Sequence, residues 1–565
     1  MRALLARGFR ALVGRGFASV RSDVHKRGAR CVEAAVSGTI LNTVLNTIEE
    51  LEPRKLFATY FVNPWGADWN AGTSEGAAWK TISRVNQQQL RAGDTVKFLG
   101  GQTYYGSLYV PSAEGGNSWS PVKFTSYGGN RATIDSGGSH GLDVAQAGGV
   151  HVQHLNFKGN GWNSSNGIFV HCDWSGKWLD NVQIDNVDVS GYGGYNVKIL
   201  APGWGSSYNN VRITNSNLHD SKEGGIWINA GGRHNTNKNI TISNVKAYNH
   251  SGTGSWDKVT GNGIFVADSD GVLIERSVAW NNGSNGFRPV GIWAAGSNRV
   301  TIQYCESYNN KTITTTDGGG FDFDWDVTNS VMQYNYSHDN HGPGFLLAAG
   351  DHKIDNCVIR YNVTQNDGRR NQRGGIQLWG NVQNSKIYNN VSYMSTPGVA
   401  AFYAHNLGAG GYNMNNIDVR NNIFMTTGGA PTVKIQGGFS TGWNNRFIGN
   451  AYWGGWGQTK IEWDGQQIWS LADFQNWKKP QEWNYYWERR GYWGDPKLKA
   501  AGQAGTINNP WSLSSSLWQY QLQAGSPVIN QGVSQPTTLS GASSDFFGQW
   551  MPKSGRFDIG VNEAG

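Results

Sequence analysis

The sequence predicts an all-β fold built as a parallel β-solenoid. Only 15% of its 565 residues are charged and 78 are glycine, a composition unlike that of a coiled coil or a typical helical enzyme. Short strands that begin with glycine followed by an aliphatic or aromatic residue recur, and their starts are 23 to 38 residues apart. A period mostly in the twenties, with β patterning and no helix in each unit, is typical of a β-solenoid.

Two families of strands alternate along this repeat. The second family includes the stretches VQIDNVDV, VRITNSNL, ITISNVKAYN and VTIQYCESYN, which lie between members of the first. Each coil should therefore hold at least two short strands separated by Gly/Asn-rich turns. The first family starts at Ile168, Val197, Ile226, Ile264, Ile292, Phe321, Phe345, Ile376 and Val399.

Residues 1–58 are predicted to be an export leader that lies outside the fold. They contain ten Lys/Arg and five Asp/Glu, and Arg10 and Arg15 interrupt their short apolar runs. An ordinary secretory signal has a single apolar core of roughly 7 to 15 residues. The alternatives are a disordered arm or a mispredicted start codon. No uninterrupted apolar run approaches the ~18 residues of a membrane span.

The charge balance argues against a nucleic-acid partner. The net charge is +7, but the leader supplies +5 of it. The remaining residues contain 37 basic and 35 acidic side chains, whereas a nucleic-acid surface needs a basic stripe interleaved with aromatic residues.

Residues 59–454 are predicted to form the solenoid and residues 455–565 a Trp-rich cap that packs back on it. A short helical pattern from Ala78 to Leu90 would cover the exposed first coil, which otherwise shows water an apolar face and a free strand edge. After Gly454 the repeats lapse, and a second short helix is predicted from Ser470 to Trp477, with Asp473 in its first turns.

The cysteines are predicted to be free and buried. Cys305 and Cys357 are placed in one inward column with Asn335 between them, about 9 to 10 Å apart, which exceeds the reach of a disulfide. Cys31 lies in the leader and Cys172 stands alone, so no Cys-x-x-Cys metal cluster is expected.

Together these features resemble the right-handed parallel β-helix proteins of the pectate-lyase-like superfamily, over roughly residues 59–450. SPVINQG (Ser526–Gly532), DFFGQW and FDIGVNEAG match a pattern found near the end of exported β-helix proteins. LEPRKLFA (Leu51–Ala58) resembles the element that closes the long leaders of some exported bacterial proteins of this kind. The resemblance implies a single-stranded, right-handed helix in a bacterial protein that is secreted or at the cell surface.

The stretch GGGFDFDWD, Gly318–Asp326, defines the candidate site. The aligned aliphatic positions must face the core, so Phe321 and Phe323 should point inward and Asp322 and Asp324 outward. The first outward row is predicted to contain Phe169, Lys198, Trp227, Phe265, Trp293, Asp322, Leu346, Gln377 and Ala400. The second is predicted to contain His171, Leu200, Asn229, Ala267, Ala295, Asp324, Ala348, Trp379 and Phe402.

This outward face resembles a saccharide groove more than a solvated surface, because aromatic faces stack on sugar rings. The expected partner is a polysaccharide or oligosaccharide, held by aromatic platforms and by polar residues of the bordering loops. The predicted substrate-binding residues are Trp227, Phe265, Trp293, Gln377, Trp379, Arg369, Arg370, Arg373 and His341.

Asp322 and Asp324 are the predicted catalytic residues. Carboxyls at i and i+2 of a strand lie only ~7 Å apart, so one pKa should rise. A glycosidase uses one protonated carboxyl as acid and one ionised carboxyl as nucleophile or base. Asp317, before the glycines, and Asp326, after the strand, are further candidates, although turn residues that cap backbone amides are the favoured interpretation of both. No cofactor is required, and the alternative role is a calcium site formed by Asp322, Asp324 and Asp326.

Two other functions stay open. A lyase acting on a uronate polymer would need cations for the substrate carboxylate, which Lys198 and the arginines at 369, 370 and 373 could provide. A non-catalytic adhesin would use the aromatic rows alone. TTDGGGFDFD resembles polygalacturonase-type hydrolases in placing aspartate before glycine, but their Asp-Asp, Gly-His-Gly and Arg-Ile-Lys elements have no counterpart here. No catalytic role is carried over from them.

Overall fold

The computed structural model shows a parallel β-helix in which each coil contributes three strands. It describes residues 57–564, apart from 372, 456, 478–486, 537–538 and 540. The predicted leader therefore lies outside the described residues, except for Phe57 and Ala58. Three 14-stranded sheets run along the solenoid, and successive strands pair in parallel except for the last pair of one sheet. The third strand of each coil was not distinguished in the sequence, where at least two were expected.

Sheet 1 begins with the first strand of the domain. Its strands are β1 (Thr59–Val62), β2 (Thr95–Leu99), β5 (Val122–Tyr127), β8 (Val150–Gln153), β11 (Trp178–Asp185), β14 (Ser207–Thr214), β17 (Asn237–Ser243), β20 (Ser269–Glu275), β23 (Asn298–Gln303), β26 (Val331–Gln333), β29 (Val358–Arg360), β32 (Lys386–Tyr388), β35 (Asp418–Arg420) and β38 (Arg446–Ile448).

Sheet 2 contains the first strand family of the sequence and carries the candidate site. Its strands are β4 (Leu108–Val110), β7 (Leu142–Ala145), β10 (Ile168–His171), β13 (Tyr195–Leu200), β16 (Gly224–Asn229), β19 (Asn262–Ala267), β22 (Val290–Ala295), β25 (Gly319–Asp324), β28 (Phe345–Asp355), β31 (Ile376–Gln383), β34 (Phe402–His405), β37 (Val433–Gln436), β40 (Ile461–Trp463) and β41 (Gln466–Ile468).

Sheet 3 has mostly three-residue strands. They are β3 (Thr103–Tyr105), β6 (Ala132–Gly137), β9 (Leu155–Gly159), β12 (Asp188–Ser190), β15 (Asn217–His219), β18 (Lys246–Tyr248), β21 (Val278–Trp280), β24 (Glu306–Tyr308), β27 (Tyr336–His338), β30 (Val363–Gln365), β33 (Val391–Met394), β36 (Ile423–Thr426), β39 (Ala451–Trp453) and β42 (Tyr492–Trp493).

Short helices lie at both ends of the solenoid. The four α-helices are α1 (Ile82–Gln87), α2 (Gly438–Thr441), α3 (Leu471–Asn476) and α4 (Leu513–Ser516), and the 3₁₀ turns are Glu75–Ala77, Pro510–Ser512 and Trp518–Tyr520. Helix α1 confirms the predicted N-terminal cap, although it is shorter, and buries Ile82 and Val85. Helix α3 confirms the second prediction, because Ser470 caps it by accepting a hydrogen bond from the backbone N–H of Asp473.

The core follows the predicted alternation of side chains. Ile226 pairs with Ile264, Ile292 with Phe321, and Ala294 with Phe323, and all of these side chains are fully buried. Asp322 and Asp324 lie on the opposite face of β25, as predicted. If a strand slipped by one residue against its neighbour, its buried and outward side chains would exchange faces. Burial of one face therefore fixes the register between neighbouring coils.

Asparagine ladders bond neighbouring coils inside the turns. In one ladder, the side-chain oxygen of each asparagine accepts a hydrogen bond from the backbone N–H of the residue one coil earlier. Its members are Asn335, Asn362, Asn390, Asn422 and Asn450. Glu488 ends this ladder by accepting from Asn450. Since a buried amide without partners is costly, these hydrogen bonds stabilise the stacking of neighbouring coils.

The three described cysteines are free and buried, as predicted. Their predicted shared column is wrong. Cys305 donates its backbone N–H to Asn335, in the asparagine ladder, whereas Cys357 donates to Ser385 and precedes Val358, the partner of Val331. The two columns lie five residues apart along each coil, and both hold small, inward-facing side chains at turns. The sequence pattern therefore does not show which column a cysteine occupies.

The C-terminal residues return along the outside of the solenoid. Sheet 2 ends in an antiparallel hairpin of β40 and β41, and Phe474 of α3 is buried against the last coils. Residues from Leu498 to Val561 form an apolar cluster with side chains of sheets 1 and 3. No helix among the described residues is long and apolar enough to cross a membrane.

Candidate functional site

A cleft of about 390 Å³ lies on the outer face of sheet 2, across the strands from β22 to β34. Its lining contains two carboxyl side chains, Asp317 and Asp324, together with Arg288 and Arg373. Asp317 lies in the turn before β25, and Asp324 is the last residue of that strand. The glycines 318–320 lead the chain from the turn into the strand. Asp317 occupies that turn with φ of 55°, a left-handed conformation that aspartate tolerates better than most residues.

Asp317 is the carboxyl that lies near two positive charges. Burial raises its pKa to about 6, while the guanidinium groups of Arg288 and Arg373 favour the ionised form and limit the rise. The prediction of a turn residue is therefore right about its backbone. Its carboxyl nevertheless lines the cleft.

Asp324 ends β25, and its side chain is half buried. Its Oδ1 accepts a hydrogen bond of 3.0 Å from the backbone N–H of Trp325. Burial raises its pKa well above the usual range, and the charge of Asp317 raises it further. A buried carboxyl does not easily ionise beside a carboxylate, so the two acids favour opposite protonation states.

Asp322 faces outward as predicted but is covered. It is 1% exposed and lies in register between Trp293 and Leu346. Neither of its carboxyl oxygens has a hydrogen-bond partner among the described residues. Burial raises its pKa well above the usual range, and the charges of Asp324 and Asp317 add to the effect. The side chain is therefore expected to be neutral, and it does not line the cleft.

Asp326 points to a different set of partners. Its carboxylate accepts from the His352 ring at 2.9 Å and from the backbone N–H of Lys353 at 3.1 Å. Across residues 57–564, apart from the gaps, no group of three or more His, Cys, Asp or Glu side chains is arranged to hold a metal ion. The three predicted calcium ligands are thus not gathered into one site, and calcium binding stays a prediction.

The aromatic row differs from the predicted set of platforms. Trp227, Phe265 and Trp293 stack on one another, with centroid separations of 6.3 and 3.6 Å and nearly parallel rings. Phe265 and Trp293 are 8% and 2% exposed. Their faces are occupied by each other, so they stiffen the wall and offer only edges to a ligand. Trp293, Trp325 and Trp379 line the cleft, and Trp325 is the exposed ring among them.

The predicted basic loop contributes one residue to the cleft. Of the described loop residues, Arg373 is in the lining, whereas Arg369, Arg370 and His341 are not. Arg369 pairs with Asp339, Arg370 is exposed, and the Nδ1 of His341 accepts from the backbone N–H of Thr312. These three predicted substrate-binding residues therefore lie outside the cleft lining.

The predicted outward rows are shifted by three residues at β34. Gln377 pairs with Tyr403 and Trp379 with His405, where the sequence analysis placed Ala400 and Phe402. Phe402 instead faces the core and is fully buried. The shift brings His405 into the cleft, where its Nε2 lies 3.0 Å from Gln377 Nε2 and 3.3 Å from Arg373 Nη1.

His405, Arg288 and Trp325 are among the cleft residues that were not predicted from the sequence. The alternation in FYAH, Phe402–His405, matches that of GGIQLW and could have given the correct register for His405. Arg288 lies on a loop, and Trp325 follows the strand with an unusual φ of 23°. No periodic pattern in the sequence reports those two positions.

Comparison with known proteins places the fold in a known class. The family model described as "Right handed beta helix region" matches residues 124–392. A lacto-N-biosidase of Bifidobacterium longum subsp. longum is 24% identical over 448 aligned residues, which cover 60% of this chain. The chain spans 27% of the length of that relative.

The chain is also similar to solved structures, at lower sequence identity. The GH136 lacto-N-biosidase from Eubacterium ramulus is 14% identical, with a TM-score of 0.40, over 72% of this chain and 68% of that one. Pectate lyase Pel9A is 15% identical, with a TM-score of 0.39, over 90% and 96%. The family match and the stacked parallel sheets show that the chain is a right-handed parallel β-helix protein.

Proposed function

We propose that this right-handed β-helix protein is a glycoside hydrolase that cleaves an oligosaccharide or polysaccharide outside the cell, with Asp317 and Asp324 as its catalytic carboxyls. One observation carries the proposal: both acids line the same cleft on sheet 2. A pair of carboxyls with opposed protonation states is what hydrolysis of a glycosidic bond requires. Asp324 belongs to the pair predicted from the sequence, and Asp317 replaces Asp322.

The charges around the pair assign the two roles. Arg288 and Arg373 favour ionised Asp317, so Asp317 is the nucleophile or base. Burial and the charge of Asp317 raise the pKa of Asp324 well above its usual range, so Asp324 holds the proton that the leaving oxygen receives. Two titratable groups whose surroundings separate their pKa values are typical of an acid and base pair.

The remaining cleft residues suit a sugar ligand. Trp325 is 41% exposed, and Trp379 is fixed by a 2.9 Å hydrogen bond from its Nε1 to the Leu407 carbonyl. Exposed aromatic faces of this kind stack on the apolar faces of sugar rings. Similarity to a lacto-N-biosidase also supports hydrolysis over the alternatives of a uronate lyase and a non-catalytic adhesin.

The test compares the two acids on substrates with different leaving groups. Full-length Asp317→Asn and Asp324→Asn variants are assayed with neutral oligosaccharides, lacto-N-biosides among them, and with their 4-nitrophenyl glycosides. Removing either acid should lower kcat on natural substrates by about 10²- to 10⁴-fold. Asp324→Asn should lose much less on the nitrophenyl glycosides, because nitrophenolate leaves without a proton.

The outcomes separate the candidate functions. A smaller loss for Asp317→Asn than for Asp324→Asn on the nitrophenyl substrates would reverse the two roles. Release of unsaturated uronate, followed by ultraviolet absorbance with calcium or with chelator, would indicate a lyase. Binding without turnover by the wild-type protein would support the adhesin. Glu462→Gln, on the outer face of β40, is the matched acid-to-amide control and should retain wild-type turnover.

A further inference from the structure

The floor of the cleft carries two buried polar atoms with no hydrogen-bond partner among the described residues. They are Oε1 of Gln377 on β31 and Nδ1 of His405 on β34. The two side chains are 4% and 2% exposed, and both line the cleft. Leaving a buried polar atom without a hydrogen-bond partner is unfavourable, so an adjacent pair indicates a place where a ligand completes the bonding.

The neighbours of His405 determine which ring nitrogen holds the proton. Its Nε2 lies 3.3 Å from Nη1 of Arg373, and a guanidinium only donates. Nε2 must therefore accept, and the proton of the neutral ring is on Nδ1. Burial and the charges of Arg373 and Lys434 lower the pKa of His405 to about 3, so the ring stays neutral at physiological pH.

The same bond fixes the orientation of Gln377. Its Nε2 lies 3.0 Å from the accepting Nε2 of His405, so the amide nitrogen donates there and Oε1 is the free end. Tyr403 stacks on the His405 ring at 4.4 Å between centroids. The floor thus presents one fixed donor, His405 Nδ1–H, and one fixed acceptor, Gln377 Oε1.

We propose that Gln377 and His405 form a specificity subsite for a neutral, hydroxyl-bearing sugar unit. A hydroxyl both donates and accepts, so it satisfies Oε1 of Gln377 and Nδ1–H of His405. A uronate carboxylate only accepts, which leaves Gln377 Oε1 unpaired and facing a negative group. This assignment rests on the proposed function and names the substrate class that the cleft takes.

Arg373 is the cleft residue that would favour an anionic sugar over a neutral one. Its guanidinium lies beside His405 and is half buried, and it could pair with a carboxylate. Gln377 nevertheless favours a hydroxyl, because a carboxylate would leave its buried Oε1 without a donor. A site built to hydrogen-bond a hydroxyl discriminates strongly, because the wrong ligand leaves buried groups unpaired.

The experiment measures binding in the whole chain with hydrolysis removed by Asp324→Asn. Calorimetry with lacto-N-biose, cellobiose, xylobiose and mannobiose as neutral probes, and with digalacturonate and dimannuronate as anionic probes, gives the affinities. Adding Gln377→Leu or His405→Phe should weaken the tightest neutral probe about tenfold or more. Gln383→Leu, the same change at the outer end of β31, is the matched control and should not change affinity.

A spectroscopic measurement tests the tautomer independently of turnover. Nitrogen-15 spectra of histidine-labelled protein, with the His405 signal assigned by its loss in His405→Phe, should show a neutral Nδ1–H ring between pH 5 and 8. The bound neutral probe should shift that signal. A protonated or Nε2–H ring, tighter binding of an anionic probe, or no binding of any neutral probe would overturn the inference. Binding with no turnover in the wild type would instead reject the proposed hydrolase.

Discussion

Single residues decide the chemistry of the cleft, and three aspartates of one turn and strand show how. Asp317, Asp322 and Asp324 lie within eight residues, yet their surroundings differ. Two arginines lie beside Asp317, a backbone N–H bonds Asp324, and the buried carboxyl of Asp322 has no described partner. A neutral Asp322 also matters for its neighbours, because ionisation there would raise the pKa of Asp324 further.

We predict that Asp322→Asn retains turnover within about tenfold of the wild type, whereas Asp317→Asn and Asp324→Asn each lose about 10²- to 10⁴-fold. Asparagine has the shape of aspartate and the charge of its protonated form, so the wall of the cleft should not change. Steady-state kinetics of the three variants give the comparison. If Asp322→Asn were as inactive as the other two, Asp322 would be catalytic, as first predicted from the sequence.

At the scale of the elements, inward asparagines and outward aromatic stacks join one coil to the next. Asn390 is fully buried, accepts from Asn362 and donates to the Ile359 carbonyl and to Asn422. On the outside, Phe265 and Trp293 stack at 3.6 Å and form a stiff wall beside the acids. A site carried by strands that are fixed on both faces is held more rigidly than one on loops.

We predict that Asn390→Ala destabilises the solenoid by about 3 kcal/mol or more, because it leaves several buried donors and acceptors unpaired. Asn381→Ala, on the outer part of β31, serves as the matched control and should cost about 0.5 kcal/mol or less. Thermal and urea unfolding of both variants measure the difference. Equal losses would show that the inner ladder does not stabilise the coils.

Over the whole molecule, the C-terminal segment closes the last coils and bonds the outer faces of sheets 1 and 3. Glu306 is fully buried and accepts from the backbone N–H groups of Ile507, at 2.7 Å, and Asn508. At the end of the ladder, Glu488 accepts from Asn450 at 2.8 Å and from the Tyr452 hydroxyl. Burial raises the pKa of Glu488 to about 7.

We predict that the closure at Glu488 weakens as the pH rises. The folded-state pKa exceeds the unfolded value of about 4.3, so the stabilisation is complete below that value and is lost as the pH rises through 7. The total change is about 4 kcal/mol, because one pKa unit corresponds to about 1.4 kcal/mol. Thermal unfolding of wild type and Glu488→Gln at pH 5, 6, 7 and 8 isolates this group. The stability difference between them should shrink or reverse with rising pH; a constant difference would contradict the prediction.

The sequence by itself determined the solenoid, its capping helices and the two faces of each strand. Alternation such as Phe321 inward and Asp322 outward is a local property of a strand, and burial of one face enforces it. The tertiary structure decided which outward residues share a cleft. Val399 and Ala401 are as buried as Phe402, so apolar pattern alone could not place β34 or bring His405 beside Gln377.

The same limit applies to Asp317 and Trp293. Whether a turn aspartate faces solvent or a cleft depends on arginines from other coils, and whether a tryptophan offers its face depends on the ring stacked above it. Parallel coils join residues about 30 positions apart through loops of unequal length, and no local signal records those contacts.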